Sequence, residues 1–487
     1  MSGPLPPTMP STEPPRPVRK PADWGGKAIV VFALAFLMAV PGVFVFALIA
    51  ERSSRSEQAV AEVSALQGGA QRVLGPMLAV PYAFAPNDKG ERAPGGWYLI
   101  SPETGSAKLA MTTDTRHRGL FDVPVYGVKA DIEARFGPPP PELDLPAGAV
   151  ADWTQARVIM GFTDLRGAKS DIAGTFTPVS AAPPGPARYL FAPASGIDLG
   201  NSTAPVVENG QMTGVGLVAA PAGAMAQSPQ GGTFRASFRF TGAQRLSVLP
   251  FAKSTHVEMS GDWGAPSFNG GFLPETSDRS AGAFSAVWNV PFIARGLAAH
   301  GVSGALSPSA LAEKDTGVSL VQSNNPYKNV TRALKYAVMF VGLVFLTFFV
   351  FEALSGRRVH PAQYILIGLA QMVFYLLLLS VSELIGFDWA FAAASVPTVL
   401  LIGLYAGWAF KGRTYQIQAL VIFSVVYGLI YLLMRLEDYA LLAGSLAAFV
   451  GLSAAMWLTR NIEWYGAGAA QSLPPAAPGA PQDVDRS

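Results

Sequence analysis

A chain of 487 residues that is half hydrophobic, only 14% charged and of mean hydropathy +0.31 is too apolar for an ordinary soluble protein. Its net charge of +2, with Lys and Arg dispersed, gives no basic surface for nucleic acid, and no nucleic-acid partner is expected. With no cysteine, disulfides, thiol catalysis, zinc knuckles and iron–sulfur ligation are excluded, and any domain outside a membrane must hold by its own core.

Residues 1–26 carry eight prolines among small polar residues and the basic Arg16, Arg19 and Lys20. Such a composition cannot bury a core and reads as a disordered tail. Residues 463–487, with their Pro-rich run after Leu473, read the same way. Residues 27–50 form the first transmembrane helix, for Ala28–Ala50 is uncharged between Lys27 and Glu51. A cleaved signal peptide is the rival, but its apolar region is only ~7–15 residues and Ala47–Ala50 fits a cleavage site poorly. Pro41-Gly42 is expected to kink this helix.

Residues 51–332 change character. Glu51–Ala70 continues helical, with Val60, Val63 and Leu66 at helical spacing, until Gly68-Gly69 and Gly75-Pro76 end it. Short β runs follow. Val128, Ala130, Ile132, Ala134 and Phe136 alternate with polar residues, as do Phe234, Ala236, Phe238 and Phe240. Further runs lie at 77–84, 97–100, 156–162, 214–220, 245–251 and 284–290. Strands this short and frequent predict an all-β, sandwich-like domain, either one large sandwich or two stacked ones.

Residues 333–462 hold five apolar stretches in succession, bounded by Lys335 and Glu352, His360 and Glu383, Asp388 and Lys411, Arg413 and Arg435, and Asp438 and Arg460. A bilayer core of ~30 Å takes about 20 apolar residues as helix, since only a helix satisfies its own backbone in lipid. The fold class is therefore a membrane α-helical protein of six transmembrane helices, one plus five, with the all-β domain inserted between helices 1 and 2. Basic residues orient it. Arg16, Arg19, Lys20 and Lys27, then Arg357 and Arg358, Lys411 and Arg413, and Arg460 fall on one side, which is the cytoplasmic side. Both termini are then cytoplasmic and the β domain extracytoplasmic.

Chemistry is sparse. His117, His256, His300 and His360 lack helical metal-ligand spacing; His256 and Glu258 share a strand face, more simply as exposed polar positions than as ligands. Gly214-Val-Gly216 imitates a dinucleotide turn, but β runs surround it. Asn201-Ser-Thr203 and Asn329-Val-Thr331 are glycosylation acceptors only in a secretory host. Neither a Gly-x-Ser-x-Gly elbow nor a phosphate loop occurs. No catalytic group, cofactor or metal is assigned. Ionisable residues gather at the outer ends of the spans: Lys335, Glu383, Asp388, Arg435, Glu437 and Asp438. They read as a proton or solute site, or as an ion-paired rim where helices end; the lack of a helix-central acid favours the rim. Glu352, toward the inner end, is expected to reach Arg357 or Arg358. Gly403, Gly407, Gly444, Ala448, Gly451 and Ala455 mark close helix packing.

Particular runs carry a resemblance. Tyr327, Arg332, Lys335-Tyr336, Phe345–Glu352, His360-Pro361-x-Gln363-Tyr364, Ser382-Glu383-x-Ile-Gly386-Phe387, Leu436–Leu442 with Gly444-Ser445, Thr459-Arg460 and Glu463-Trp-Tyr465 belong to it. So do Gly75-Pro76-x-Leu78 with Pro81-Tyr82, Arg116–Gly119 with Val123–Tyr126, and Pro266-Ser-Phe268 with Phe272-Leu-Pro274. Together they resemble the CreD family of bacterial inner-membrane proteins over residues 28–465, with Glu463 where the family pattern has Asp. The resemblance implies an inner-membrane location, a role in cell-envelope integrity, altered colicin sensitivity, and expression under a two-component system answering envelope or β-lactam stress. It supplies no catalytic residues. The leading expectation is thus a non-enzymatic envelope protein whose β domain binds or senses envelope components or other membrane proteins. The alternative is a transporter of lipid or solute that uses the outer acidic rim, and a hydrolase of envelope polymers comes third.

Overall fold

The computed structural model describes residues 24–86, 93, 95–119, 121–179, 186–194, 197, 206–208, 211–213, 215–280, 282–304, 306, 308–321, 326–355, 357–435 and 439–460. The chain divides into two compact units: Met1–Glu51 with Pro326–Ser487, and Arg52–Asn325.

The first unit begins with α1 (Trp24–Leu37), followed after one residue by α2 (Ala39–Leu66), whose residues from Arg52 on belong to the second unit. The break falls at Met38, three residues ahead of Pro41, because a proline strips the helix of one N–H and its ring crowds the carbonyl four residues back, that of Leu37. α2 runs on past Glu51, as its composition predicts, and stops before Gly68 and Gly69, both in the left-handed region at φ 91° and 61°. The β unit carries short helices α3 (Ala224–Gln227), α4 (Phe292–Arg295) and α5 (Pro308–Ala312). The chain then returns through α6 (Pro326–Lys335), α7 (Ala337–Ser355), α8 (Pro361–Ile385), α9 (Phe387–Phe410), α10 (Arg413–Arg435) and α11 (Ala440–Thr459).

Among the described residues five spans are long and apolar enough to cross a membrane, α1 and α2 together as Gly25–Leu66 with α8, α9, α10 and α11, and six if the bent pair Asn329–Lys335 and Met339–Ser355 counts as one span. That pair bends by 49°; its first part is amphipathic, and from Ala337 on it is apolar apart from Glu352 in its last turn. Helices pack where side chains are smallest. A Cβ on Gly403 of α9 would stand 2.4 Å from Leu420 of α10, and one on Gly407 2.9 Å from Gln416. Gly403 and Gly407 are therefore contact surface, as is Gly451, where a Cβ would stand 3.1 Å from Leu343, whereas Ala448 is exposed. Aromatic rings fill the interior: Phe348 stacks on Phe423 at 6.0 Å and Phe374 meets Tyr427 edge-on at 4.8 Å.

The second unit is a two-sheet sandwich. A ten-stranded sheet runs Pro266–Gly270, Thr316–Leu320, Arg245–Leu249, Gln71–Phe84, Arg157–Phe162, Gly216–Pro221 and Ala192–Pro193, with Gly96–Ile100, Ala149–Ala151 and His300–Val302 joined beside this path. An eight-stranded sheet runs Thr276–Asp278, Phe284–Val290, Ser254–Gly261, Thr104–Arg118, Phe121–Phe136, Gly232–Ala243, Ala173–Pro178 and Ala187–Leu190. The predicted alternations bury as a set: Val128, Ala130, Ile132, Ala134 and Phe136, and Phe234, Ala236, Phe238 and Phe240, all point into one shared core. Phe162 of the first sheet meets Phe238 of the second at 5.1 Å, edge to face, and Phe268 meets Trp288 at 5.8 Å. One core serves both sheets, so the β segment is one large sandwich.

Candidate functional site

Three polar places stand out. The first is a carboxylate with no access to solvent. Glu352 lies in the last turn of α7 with its side chain wholly buried. An acid there opposes its helix dipole, as does Lys27 in the first turn of α1. Each offsets the other: the Lys27 ammonium is ion-paired with the carboxylate. The same oxygen accepts the Val359 N–H at 2.7 Å, the second oxygen accepts the Tyr364 hydroxyl at 2.9 Å, and Lys27 also donates to the Val359 carbonyl at 2.9 Å. One buried acid thus joins the start of α1, the end of α7 and the start of α8. The expected partners Arg357 and Arg358 are not the ones it takes. Proximity in sequence suggested them, whereas the partner used is 325 residues away. The pairable signal in the sequence was a charge of each sign at the same depth of two antiparallel spans.

The second place is the opposite end of the spans. Asp388, in the first turn of α9, accepts from Arg435 in the last turn of α10 at 2.6 Å and from Tyr431 at 3.1 Å. Both charges suit their own helix ends, and both are about half exposed. Glu383 accepts the Tyr327 hydroxyl at 2.8 Å, and Arg332 donates to the Met434 carbonyl at 3.0 Å. Lys335 is exposed and lines an apolar groove instead of joining these pairs. Glu437 and Asp438 lie outside the described residues.

The third is the outer face of the eight-stranded sheet. Register places His256, Ser106, Glu133, Arg235, Thr175 and Arg188 in one row across five strand pairings. Arg235 grips Glu133 with two bonds at 3.0 and 3.1 Å, and Lys108 pairs Glu258 at 3.1 Å in the next row. His256 bonds Asn289 at 2.6 Å and Glu258 at 2.9 Å, which together raise its pKa above the ordinary value, Asn289 first. The same bond from His256 holds the Glu258 carboxyl below its usual range. A depression of about 690 Å³ opens on this face between Lys108, Glu133, Arg188 and Arg235.

No group of three or more His, Asp or Glu side chains able to hold a metal occurs among the described residues. His117 pairs with Asp122 at 2.7 Å, His300 bonds the Tyr98 hydroxyl at 2.6 Å, and His360 caps α8. Gly216 opens an antiparallel strand, not a strand-to-helix turn; Gly214 lies outside the described residues, as do Asn201 and Thr203. Sequence reasoning missed Arg295, whose fully buried guanidinium donates to the carbonyls of Ala252 at 2.7 Å and Ala298 at 2.8 Å, and to Ser101 at 3.1 Å. It faces no carboxylate in these bonds, and burial lowers its pKa to about 10.

The sequence model of the family described as "Inner membrane protein CreD" matches residues 24–465. The chain belongs to the CreD family. It is 27% identical over 467 residues to the Inner membrane protein CreD of Escherichia coli (strain K12), covering 92% of this chain and 95% of that protein. It is accordingly an inner-membrane protein with several apolar helices. The runs that carry the resemblance fall at joints of the fold. His360 and Gln363 form the capping box of α8, and Gly386, at φ 79°, turns α8 into α9. Gly75 lies where a Cβ would strike the Phe251 ring at 2.5 Å, beside the register shift between Leu74 and Met77. Phe268 packs on Phe284 and Trp288 with the Arg279 guanidinium 4.9 Å from its ring centre. The family motifs of this chain are built largely from caps, turns and packing contacts.

Proposed function

We propose that this protein is a non-enzymatic component of the cell envelope that maintains envelope integrity under envelope or β-lactam stress. The β unit lies on the periplasmic side, both termini lie in the cytoplasm, and envelope components bind to the open face of the eight-stranded sheet. The observation that carries the reading is that face: a wide, exposed lattice of paired charges around Lys108, Glu133 and Arg235, with its depression, on a family member held in the inner membrane. Mixed charge without an aromatic platform suits a polar partner carrying both signs, such as a peptide-bearing wall polymer or another envelope protein. The distribution of basic residues in the short loops supports the orientation. Transport through the bundle has less support, since rings such as Phe348, Phe374, Phe410 and Phe423 occupy its interior.

Deletion in the host, followed by challenge with detergent and β-lactam, tests the role. Unchanged permeability and morphology under every stress would overturn it. A chain without cysteine makes the orientation directly testable. Ser106→Cys should label with a membrane-impermeant maleimide in intact spheroplasts, and Gly412→Cys only after lysis. The reverse pattern refutes the periplasmic placement.

A further inference from the structure

The first span does not close against its neighbours along its whole length. On either side of the break at Met38 the residues Ala35, Ala39 and Gly42 are small, and a groove of about 340 Å³ remains beside them. Ala39, Gly42 and Phe46 form one wall, and Val341 and Met372 the other. A Cβ on Gly42 would meet only the Met372 sulfur, at 3.9 Å, so the space is real and not filled from behind. Its volume lies within the ~300–1,000 Å³ of ordinary ligand sites. One lining residue is charged. Lys335 ends α6, where the chain bends into the apolar α7, and its side chain is exposed on the groove. Among the described residues its ammonium has no carboxylate partner.

A groove apolar along its length and cationic at its end, in a membrane helix bundle, complements one kind of molecule. We propose that it holds a single anionic phospholipid, an acyl chain lying between α1–α2 and α7–α8 and the phosphate on Lys335. The acyl chain removes apolar wall from contact with looser lipid, and the ammonium contributes the preference for negative headgroups. The site is independent of the envelope role and of the sheet face.

The test uses the full chain, delipidated in detergent and titrated by native mass spectrometry with phosphatidylglycerol and phosphatidylethanolamine of identical acyl chains. The first phosphatidylglycerol is expected to bind about fivefold more tightly than phosphatidylethanolamine, the scale of one basic residue near a membrane surface. Lys335→Gln brings the two lipids level, Lys335→Arg keeps the preference, and Gly42→Leu, which fills the groove, weakens both. Soluble glycerol 3-phosphate at the same concentration does not compete, since the headgroup alone lacks the chain. Equal binding of both lipids by the native protein overturns the proposal, as does an undiminished preference in Lys335→Gln, or competition by glycerol 3-phosphate.

Discussion

Removing the Glu352 carboxylate is the most demanding test of how the bundle holds together. Glu352→Ala leaves three donors without their acceptor: the Lys27 ammonium, the Val359 N–H and the Tyr364 hydroxyl. Val359 and Tyr364 are buried and cannot turn to water, whereas the Lys27 side chain is 22% exposed and keeps the Val359 carbonyl. Breaking a buried pair by deleting one partner costs ~3–5 kcal/mol, and the residual solvation of Lys27 puts this case toward the lower end. Glu352→Gln keeps an oxygen for Val359, but its amide can only donate to the tyrosine oxygen, so the Tyr364 hydroxyl loses its acceptor and Lys27 its countercharge, about 1–3 kcal/mol in all. Lys27→Met with Glu352→Gln removes the orphaned charge, so the double variant should lose less than the sum of the single ones. The measurement is a double-mutant cycle read by dodecyl sulfate titration of the folded protein in mixed micelles. Equal, small losses for Ala and Gln, or strict additivity in the double variant, would refute the claim that this acid fastens α1 to α7 and α8.

Three other outcomes are expected. His256 has a raised pKa, so its bonds to Asn289 and Glu258 stabilise the β unit fully below pH 6.5, its ordinary value, and that contribution fades as pH rises through the raised one. Unfolding midpoints across pH 5.5–8.5 should show this loss in the native protein and a flatter profile in His256→Gln; indistinguishable profiles exclude the coupling. Arg295→Ala strips Ala252, Ala298 and Ser101 of their donor and leaves a cavity, and should cost about 3–5 kcal/mol by chemical denaturation, with Arg295→Lys retaining only part of the native stability. Gly403→Leu drives a side chain into Leu420 and should destabilise the bundle by ~1–3 kcal/mol in the same titration, while the equivalent change at Gly428, where nothing lies within 4 Å, should be nearly silent.

What the sequence alone determined is what depends on the local chain. Membrane spans were legible because lipid demands length and apolarity from one continuous segment. Phe284–Val290 was legible because a period-two pattern needs only the strand itself. The capped end of α2 was legible because Gly68 and Gly69 have no Cβ to oppose a left-handed turn. The tertiary structure decided the rest. Thr104–Arg118 is a strand although Ala107, Lys108, Leu109, Ala110 and Met111 suit a helix as well, because it is seized on both sides, in parallel by Ser254–Gly261 and in antiparallel by Phe121–Phe136. Above all, no local rule selects Lys27 for Glu352 or sets Lys335 apart from the acids of the rim. Charges choose partners by depth and neighbour, and neither exists until the helices have packed.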